Sequence, residues 1–410
     1  MSTSLAERPT EHARLWPDAS TARRIIGVLL LVAPLEQIAF DIYTPALPRI
    51  AEHFAVSNTW AQNTVTSYVL GMALVVLAAG LIADAVGRKP VLLAGLGLMT
   101  LTSIGCILAP SIPVLIALRL LQGFGAGTCL LLAATVAADC FRGTRLVGVL
   151  GLLGAAWGSA PVIAPAVGGF IAQYGSWQLV FGVLAVLTAT VGLLVAMVLP
   201  ETLPPERRSP IHPRTAVTVL GQALRHRSFV SYATMFALVA AAQAAFGVVG
   251  PFLYQTGLGM SPGAYGFVAL GVGVANFVGA ACCGALARRH SLRRLGFGAS
   301  AVLSLAGMVM LVSAQSIGLS AVAITAAAAV ALLSIGVLDP LTKGLAMGVF
   351  SQNIGLVTGL VSTFCYVSIT LAMAAMAWLP ERSQAPLGWL YVAIAAGLAA
   401  LLGVAVRDRK

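Results

Sequence analysis

Twelve apolar stretches, each long enough to cross a bilayer as a helix, constrain this chain more than any motif in it. A crossing helix needs about 20 predominantly apolar residues to span roughly 30 Å of hydrocarbon. A ruler of that size finds spans at about 25–47, 60–83, 90–108, 113–137, 146–171, 177–199, 229–252, 263–287, 295–313, 317–338, 345–376 and 387–406. Within lipid the backbone must satisfy its own hydrogen bonds, so such segments are helices. Composition agrees: of 410 residues, 59% are hydrophobic and 9% charged, against roughly 25% charged in soluble domains. The chain is expected to be an all-α membrane protein of twelve transmembrane helices.

A net charge of +11 invites a nucleic-acid reading, but the positions of the charges argue against it. Of the 24 Lys and Arg residues, Arg119 falls in a span and Arg49 and Arg382 fall in loops of one side. The other 21 occupy the N-terminal tail, the alternate loops, the central linker or the C-terminal Arg407, Arg409 and Lys410. This positive-inside pattern predicts that both termini are cytoplasmic, that the basic excess meets membrane lipid, and that nucleic acid is not a partner. The first 24 residues carry seven charges and no apolar core, so the first span is expected to direct insertion in place of a cleaved signal.

The one long polar break divides the spans six and six. The expected organisation is a cytoplasmic tail at 1–24, a six-helix bundle at 25–199, a cytoplasmic linker at 200–228, a second bundle at 229–406 and a tail at 407–410. The halves echo one another. Pro48, a polar loop, a span and Gly80 precede Arg88-Lys89, and Pro251, a polar loop, a span and Gly284 precede Arg288-Arg289. Duplicated six-helix halves build one large transporter architecture. Small-xxx-small pairs within spans, such as Gly123/Gly127 and Gly154/Gly158, are expected to let helices pack closely.

Three ionisable residues, Glu36, Asp41 and Arg119, are read as the only charges inside the spans. Charge at mid-membrane costs on the order of 2.5–3.5 kcal/mol on insertion scales, so such residues usually face a cavity and serve transport. Glu36 and Asp41 lie five residues apart, about 140° round a regular helix, so a straight helix does not put both on one face. Pro34, Pro45 and Pro48 each remove a backbone hydrogen bond and are available to bend it. Asp339 is read as a loop residue after span ten and Glu381 as an outside-loop residue, which leaves the second half without a buried acid. Five of the six cysteines fall in spans and all five histidines fall outside them; neither set has metal-ligand or disulfide spacing. No HExxH, GxSxG or phosphate loop is present, so neither an enzyme nor a self-contained ATP-driven pump is expected. No cofactor is called for.

The loop after span two reads Gly80-Leu81-Ile82-Ala83-Asp84-Ala85-Val86-Gly87-Arg88-Lys89-Pro90. It resembles the signature loop of the major facilitator superfamily, GxLaDrxGrk, with Ala85 in place of the usual Arg. Gly80, Asp84, Gly87, Arg88 and Lys89 would then form a conformational gate, with charge-assisted contacts to neighbouring helix ends. Leu118-Arg119-Leu120-Leu121-Gln122-Gly123 is similar to that superfamily's RxxqG element. On span five, Gly154, Gly158, Pro161, Pro165, Gly168 and Gly169 resemble the antiporter-type motif of drug exporters. With Asp41-Ile42-Tyr43-Thr44-Pro45-Ala46-Leu47-Pro48, these features resemble the Bcr/CflA (bicyclomycin-resistance-like) branch of twelve-span drug:proton antiporters.

That resemblance implies two six-helix pseudo-repeats in the major facilitator fold, acting as a monomer in the bacterial inner membrane. It implies export of lipophilic small molecules against protons, with the proton gradient as energy source and Glu36, Asp41 and Arg119 as the coupling groups. Arg119 either balances a carboxylate or satisfies carbonyls where helices cross. Polar and aromatic residues in spans, Asn63, Tyr68, Trp157, Gln243, Asn276, Gln352 and Asn353, are the candidates for the substrate cavity. A same-fold transporter of a physiological metabolite, such as a siderophore, amino acid or peptide-like compound, working as exporter or proton symporter, is the alternative.

Overall fold

The computed structural model of the chain describes residues 19–208, 220–349, 354–377 and 383–405. Twelve helices in it are long and apolar enough to cross a membrane. They are α1 (Ser20–His53), α2 (Asn58–Val86), α3 (Arg88–Ile107), α4 (Ile112–Cys140), α5 (Gly143–Tyr174) and α6 (Trp177–Val198), then α7 (Arg227–Gly257), α8 (Pro262–Arg289), α9 (Leu292–Ser316), α10 (Ala321–Met347), α11 (Gly359–Ala377) and α12 (Ala385–Val404). Serine stands at the N-cap of α2, α4, α6, α8, α9 and α10. At Ser261, Ser291 and Ser320 the side chain accepts from the backbone N–H of Ala264, Arg294 and Ala323, which satisfies a donor that the helix itself leaves free. The outer surface is apolar: Leu101, Val186, Phe267 and Val322 are each more than two-thirds exposed, as lipid-facing side chains are.

Packing repeats with a shift of six helices. In the first half α2 packs on α4, α3 on α4 and α3 on α6; in the second, α8 packs on α10, α9 on α10 and α9 on α12. The two large contacts between halves, α5 with α8 and α2 with α11, exchange under the same shift. The sequence echo between halves is thus matched by geometry. Two helices are irregular at corresponding ends. α1 turns at Ala33–Pro34 and again after Asp41, passing through a 3-10 turn at Thr44–Ala46, and α7 ends in a π-helical turn at Phe252–Gly257 after Pro251. Prolines that withhold a backbone donor account for the breaks in α1.

Five sequence expectations are corrected here. α10 does not end near 338 but runs to Met347, so Asp339 and Lys343 lie in a membrane-spanning helix and the three charges first identified are not the only ones inside the spans. The second half therefore does contain a membrane acid. Arg49 is not in a loop but in the last turns of α1, where Nη1 donates to the carbonyls of Ala172 and Gly175 at the end of α5. Gly123 and Gly127 do pack against α2, at Tyr68 and Met72, but Gly154 and Gly158 have open space where a Cβ would stand. Gly154 faces a cavity rather than a helix.

Candidate substrate cavity and gating loop

A cavity of about 800 Å³ lies between the halves. Its walls come from α1, α2, α4 and α5 on one side and α7, α8, α10 and α11 on the other, again related by six; among the described residues α3, α6, α9 and α12 contribute none. The cavity reaches Ala138 near the end of α4, Leu146 at the start of α5 and Met347 at the end of α10, so it runs to the end of the bundle that carries the α2–α3 loop. At the opposite end the halves meet. Gln255 Nε2, in the π-helical turn of α7, donates to the Pro45 carbonyl in the 3-10 turn of α1 at 2.9 Å. Gly263 N donates to Gln173 Oε1 at 3.0 Å, and Thr59 Oγ1 to the Ala377 carbonyl at 2.9 Å. Gly169 permits this closure, since a Cβ there would stand 2.5 Å from the Pro262 carbonyl on α8, while Gly168 packs within the first half, where a Cβ would collide with the Ile42 carbonyl of α1. Pro161 and Pro165 of the same helix line the cavity below them.

Both α1 carboxylates face this space. The turn at Ala33–Pro34 resets the helix so that the seven-residue segment Leu35–Asp41 presents Glu36, Gln37, Phe40 and Asp41 to the lumen. Glu36 Oε2 accepts from Trp157 Nε1 at 2.9 Å, and Asp41 Oδ2 from Gln37 Nε2 at 2.7 Å. Each carboxylate thus has a neutral donor, which leaves lone pairs for a proton or a ligand. Trp157, Gln243 and Asn276 line the cavity; Asn63 and Tyr68 are not among its lining residues, and Gln352 and Asn353 lie outside the described residues.

Arg119 pairs with neither carboxylate. It is fully buried behind the cavity wall, with its guanidinium carbon 4.2 Å from the Tyr68 ring centroid, 4.6 Å from Tyr43 and 5.9 Å from Phe181. Nη1 donates to Gln122 Oε1 at 2.5 Å and to the Ala39 carbonyl at 3.4 Å. Gln122 passes a further bond to Ser103, while the Tyr68 hydroxyl donates to the Glu36 backbone carbonyl at 2.8 Å. Its one backbone-carbonyl bond is to Ala39, where α1 and α4 cross, and Nε and Nη2 have no hydrogen-bond partner among the described residues.

The α2–α3 loop is a charge cluster confined to the first half. Gly87 turns at φ +122°, a conformation that favours glycine, with the Glu201 carboxylate against its open face. Glu201 accepts from the backbone N–H of Arg88 at 2.9 Å and Lys89 at 3.3 Å, which caps α3 with a negative charge, and from Leu203 N at 2.9 Å. Arg88 bridges Asp84 at 2.6 Å and Asp139 at 3.1 Å. Lys89 Nζ donates to the Ala196 carbonyl at 2.8 Å. The loop so ties the ends of α2, α4 and α6 to the start of α3.

Sequence reasoning missed the cavity's second charged locus. Asp339, Lys343, Cys365 and Tyr366 all line it. A pair of charges at i and i+4 is compatible with one continuing helix face, and that spacing was the available signal.

The Major Facilitator Superfamily matches residues 29–373. The chain is 35% identical over 240 residues to the "Uncharacterized MFS-type transporter YdgK" of Bacillus subtilis (strain 168), 58% of this chain and 59% of that protein. It is 33% identical over 235 residues to "Multidrug resistance protein MdtL" of Escherichia coli O81 (strain ED1a), 57% of this chain and 59% of that one. The matches therefore span about three-fifths of these relatives. Among solved structures, the partially occluded inward-open conformation of the xylose transporter XylE from E. coli aligns with TM-score 0.74 at 13% identity, covering 94% of this chain and 98% of that one. A crystal structure of D-xylose-proton symporter aligns with TM-score 0.73 at 15% identity, over 93% of this chain and 96% of that chain. Those likenesses concern the fold alone. A family match over most of the chain, twelve bilayer-length helices and two six-helix halves around a central cavity lead to one conclusion: this chain is an integral, multi-pass membrane protein belonging to the major facilitator superfamily.

Proposed function

We propose that the chain is a proton-coupled exporter of lipophilic small molecules, of the Bcr/CflA type, working as a monomer by alternating access. One observation carries this reading: two carboxylates, Glu36 and Asp41, line an otherwise mostly apolar cavity that is open at one end of the bundle and closed at the other. Apolar walls suit a lipophilic cargo, and a few placed polar groups orient it. A buried carboxyl group exchanges charge for a proton more readily than an exposed one, because withdrawal from water disfavours the charged form. The name of the relative MdtL, a multidrug resistance protein, supports the drug-efflux reading.

The basic loops support an orientation with the open end, and both termini, on the cytoplasmic side of the bacterial inner membrane. Cargo enters the cavity from that side and displaces a proton from Glu36 or Asp41. Opening of the other end lets a proton from outside displace the cargo. Each charge crossing 100 mV contributes about 2.3 kcal/mol to the bias. Arg119 holds the α1 backbone between the two acids, and the contact of Gly169 with α8 is part of the closure that the outward step must break. The α2–α3 loop keeps the first half moving as one body.

The test is proton release from the purified full-length chain on adding lipophilic cations, neutral antibiotics and metabolites, comparing wild type with Glu36→Gln and Asp41→Asn. Release that disappears in one variant, with cargo still bound, identifies the coupling carboxylate. Cargo binding without release in the wild type overturns antiport and leaves a symporter or uniporter on the same scaffold.

A further inference from the structure

The cavity wall of the second half carries a cation that the exporter reading does not use. Lys343 lines the cavity from α10, with Nζ 5.7 Å from the centroid of the Phe236 ring on α7. Asp339 lines the same cavity one helical turn earlier. Such a pair has the spacing to form an ion pair. It does not form one here: among the described residues the salt bridges are those of Arg88 with Asp84 and Asp139. The ammonium is exposed to the lumen and lies over an aromatic ring. Across the lumen, on a helix of the other half, stands Glu36 with its Trp157 donor at 2.9 Å. Lys343 and the Tyr366 side chain are the further charged and polar groups that face that carboxyl.

Opposite charges on facing walls, with aromatic surface between them, select by charge pattern as well as by size. A monocation satisfies Glu36 and is repelled by Lys343; a monoanion is held by Lys343 and repelled by Glu36, Asp41 and Asp339. A molecule with both charges satisfies both walls and spans the two halves at once.

We infer that the preferred cargo of this cavity is a zwitterionic amphiphile, its ammonium held at Glu36 and Trp157, its carboxylate at Lys343 and its apolar body against Phe236 and Tyr366. The inference rests on the exporter reading and names the substrate class. It also places the charge selectivity in both halves rather than in α1 alone.

The test uses the full chain in lipid nanodiscs and three fluorescent probes of one body: Nε-dansyl-lysine, its carboxamide, which keeps only the ammonium, and its Nα-acetyl derivative, which keeps only the carboxylate. Binding is read in neutral buffer, where the probe ammonium is charged and fewer protons compete for Glu36 than at acid pH. Wild type should bind the free amino acid about tenfold more tightly than either single-charge probe, the size of one charge-assisted contact. Lys343→Gln should remove that advantage over the carboxamide without weakening the carboxamide itself, and Lys343→Arg should retain it. Glu36→Gln should remove the advantage over the acetyl derivative. Equal affinity of wild type for the three probes overturns the inference, as does a Lys343→Gln protein that loses all three alike, which marks a structural lysine. If proton release by lipophilic cations persists in those cases, the exporter reading stands while this one falls. If none of the probes binds and no cargo in the panel releases protons, both fall.

Discussion

Arg119 shows how differently charges can be housed in the same membrane protein. Glu36 and Asp41 stand at a lumen, where water and cargo reach them, while the guanidinium is closed in by Tyr43, Tyr68 and Phe181 and spends Nη1 on Gln122 and the Ala39 carbonyl. A planar guanidinium stacks on rings as an ammonium does not, so Arg119→Lys keeps the charge and loses the fit. We expect Arg119→Lys to lower the stability of the detergent-solubilised protein by about 2 kcal/mol, from lost cation–π contacts in a desolvated pocket. Thermal unfolding checks this, with Glu36→Gln as the comparison that should lower proton release with little change in stability. An unchanged melt would remove Arg119 from its supporting role. The three original charges were legible in sequence because each interrupts an apolar run. Which of them meets the lumen was not, since that depends on the turn at Ala33–Pro34 and on three rings drawn from α1, α2 and α6.

Elements here are joined by their ends, and the start of α3 is the clearest case. Glu201 arrives from beyond α6 and accepts from Arg88 N and Lys89 N, while Arg88 reaches back to Asp84 and across to Asp139 on α4. Removing the cap with Glu201→Gln should cost about 1–2 kcal/mol, the range for a helix N-cap with favourable charge. Asp139→Asn should cost about 1 kcal/mol by leaving Arg88 with one carboxylate fewer. Both act on the same helix start, so the double variant should fall short of the sum. Denaturation of the four proteins in one detergent measures this; strict additivity would mean that the two contacts hold different structures. The loop's glycines and charges announced such a cluster, but Glu201 was invisible as a member because it lies more than 100 residues away in sequence. α10 exposes the complementary weakness of a hydropathy ruler. Two charges close together near the end of an apolar run read as its boundary, so Asp339 and Lys343 looked like loop although their i, i+4 spacing continues one helical face into the cavity. The eleventh stretch, taken from 345, accordingly absorbed residues 345–347 that belong to α10.

For the molecule as a whole, the shift of six that relates the packing of the halves also relates the two interfaces along which they must move, α5 with α8 and α2 with α11. A cavity served from both sides needs each end of these interfaces to part in turn. In this conformation the end near Gly169 is shut, and the cavity reaches the other end, at Ala138, Leu146 and Met347. Gln173 and Gly263 sit at the shut end, and an ideal Cβ at 263 lies 3.8 Å from the Gln173 Cβ. That is about the Cβ separation of an unstrained disulfide. Gln173→Cys combined with Gly263→Cys should therefore cross-link on mild oxidation, provided the exposed Cys282 is first replaced by serine. Transport in reconstituted vesicles should stop on oxidation and return on reduction. A third cysteine at Thr135, on the cavity wall, should stay open to a water-soluble maleimide throughout, because the lock holds the shut end without filling the open one. Transport that continues through a fully formed cross-link would mean that this end never opens. The cargo would then enter and leave by one mouth, and the paired carboxylates of α1 would have to face both compartments without the halves ever parting there.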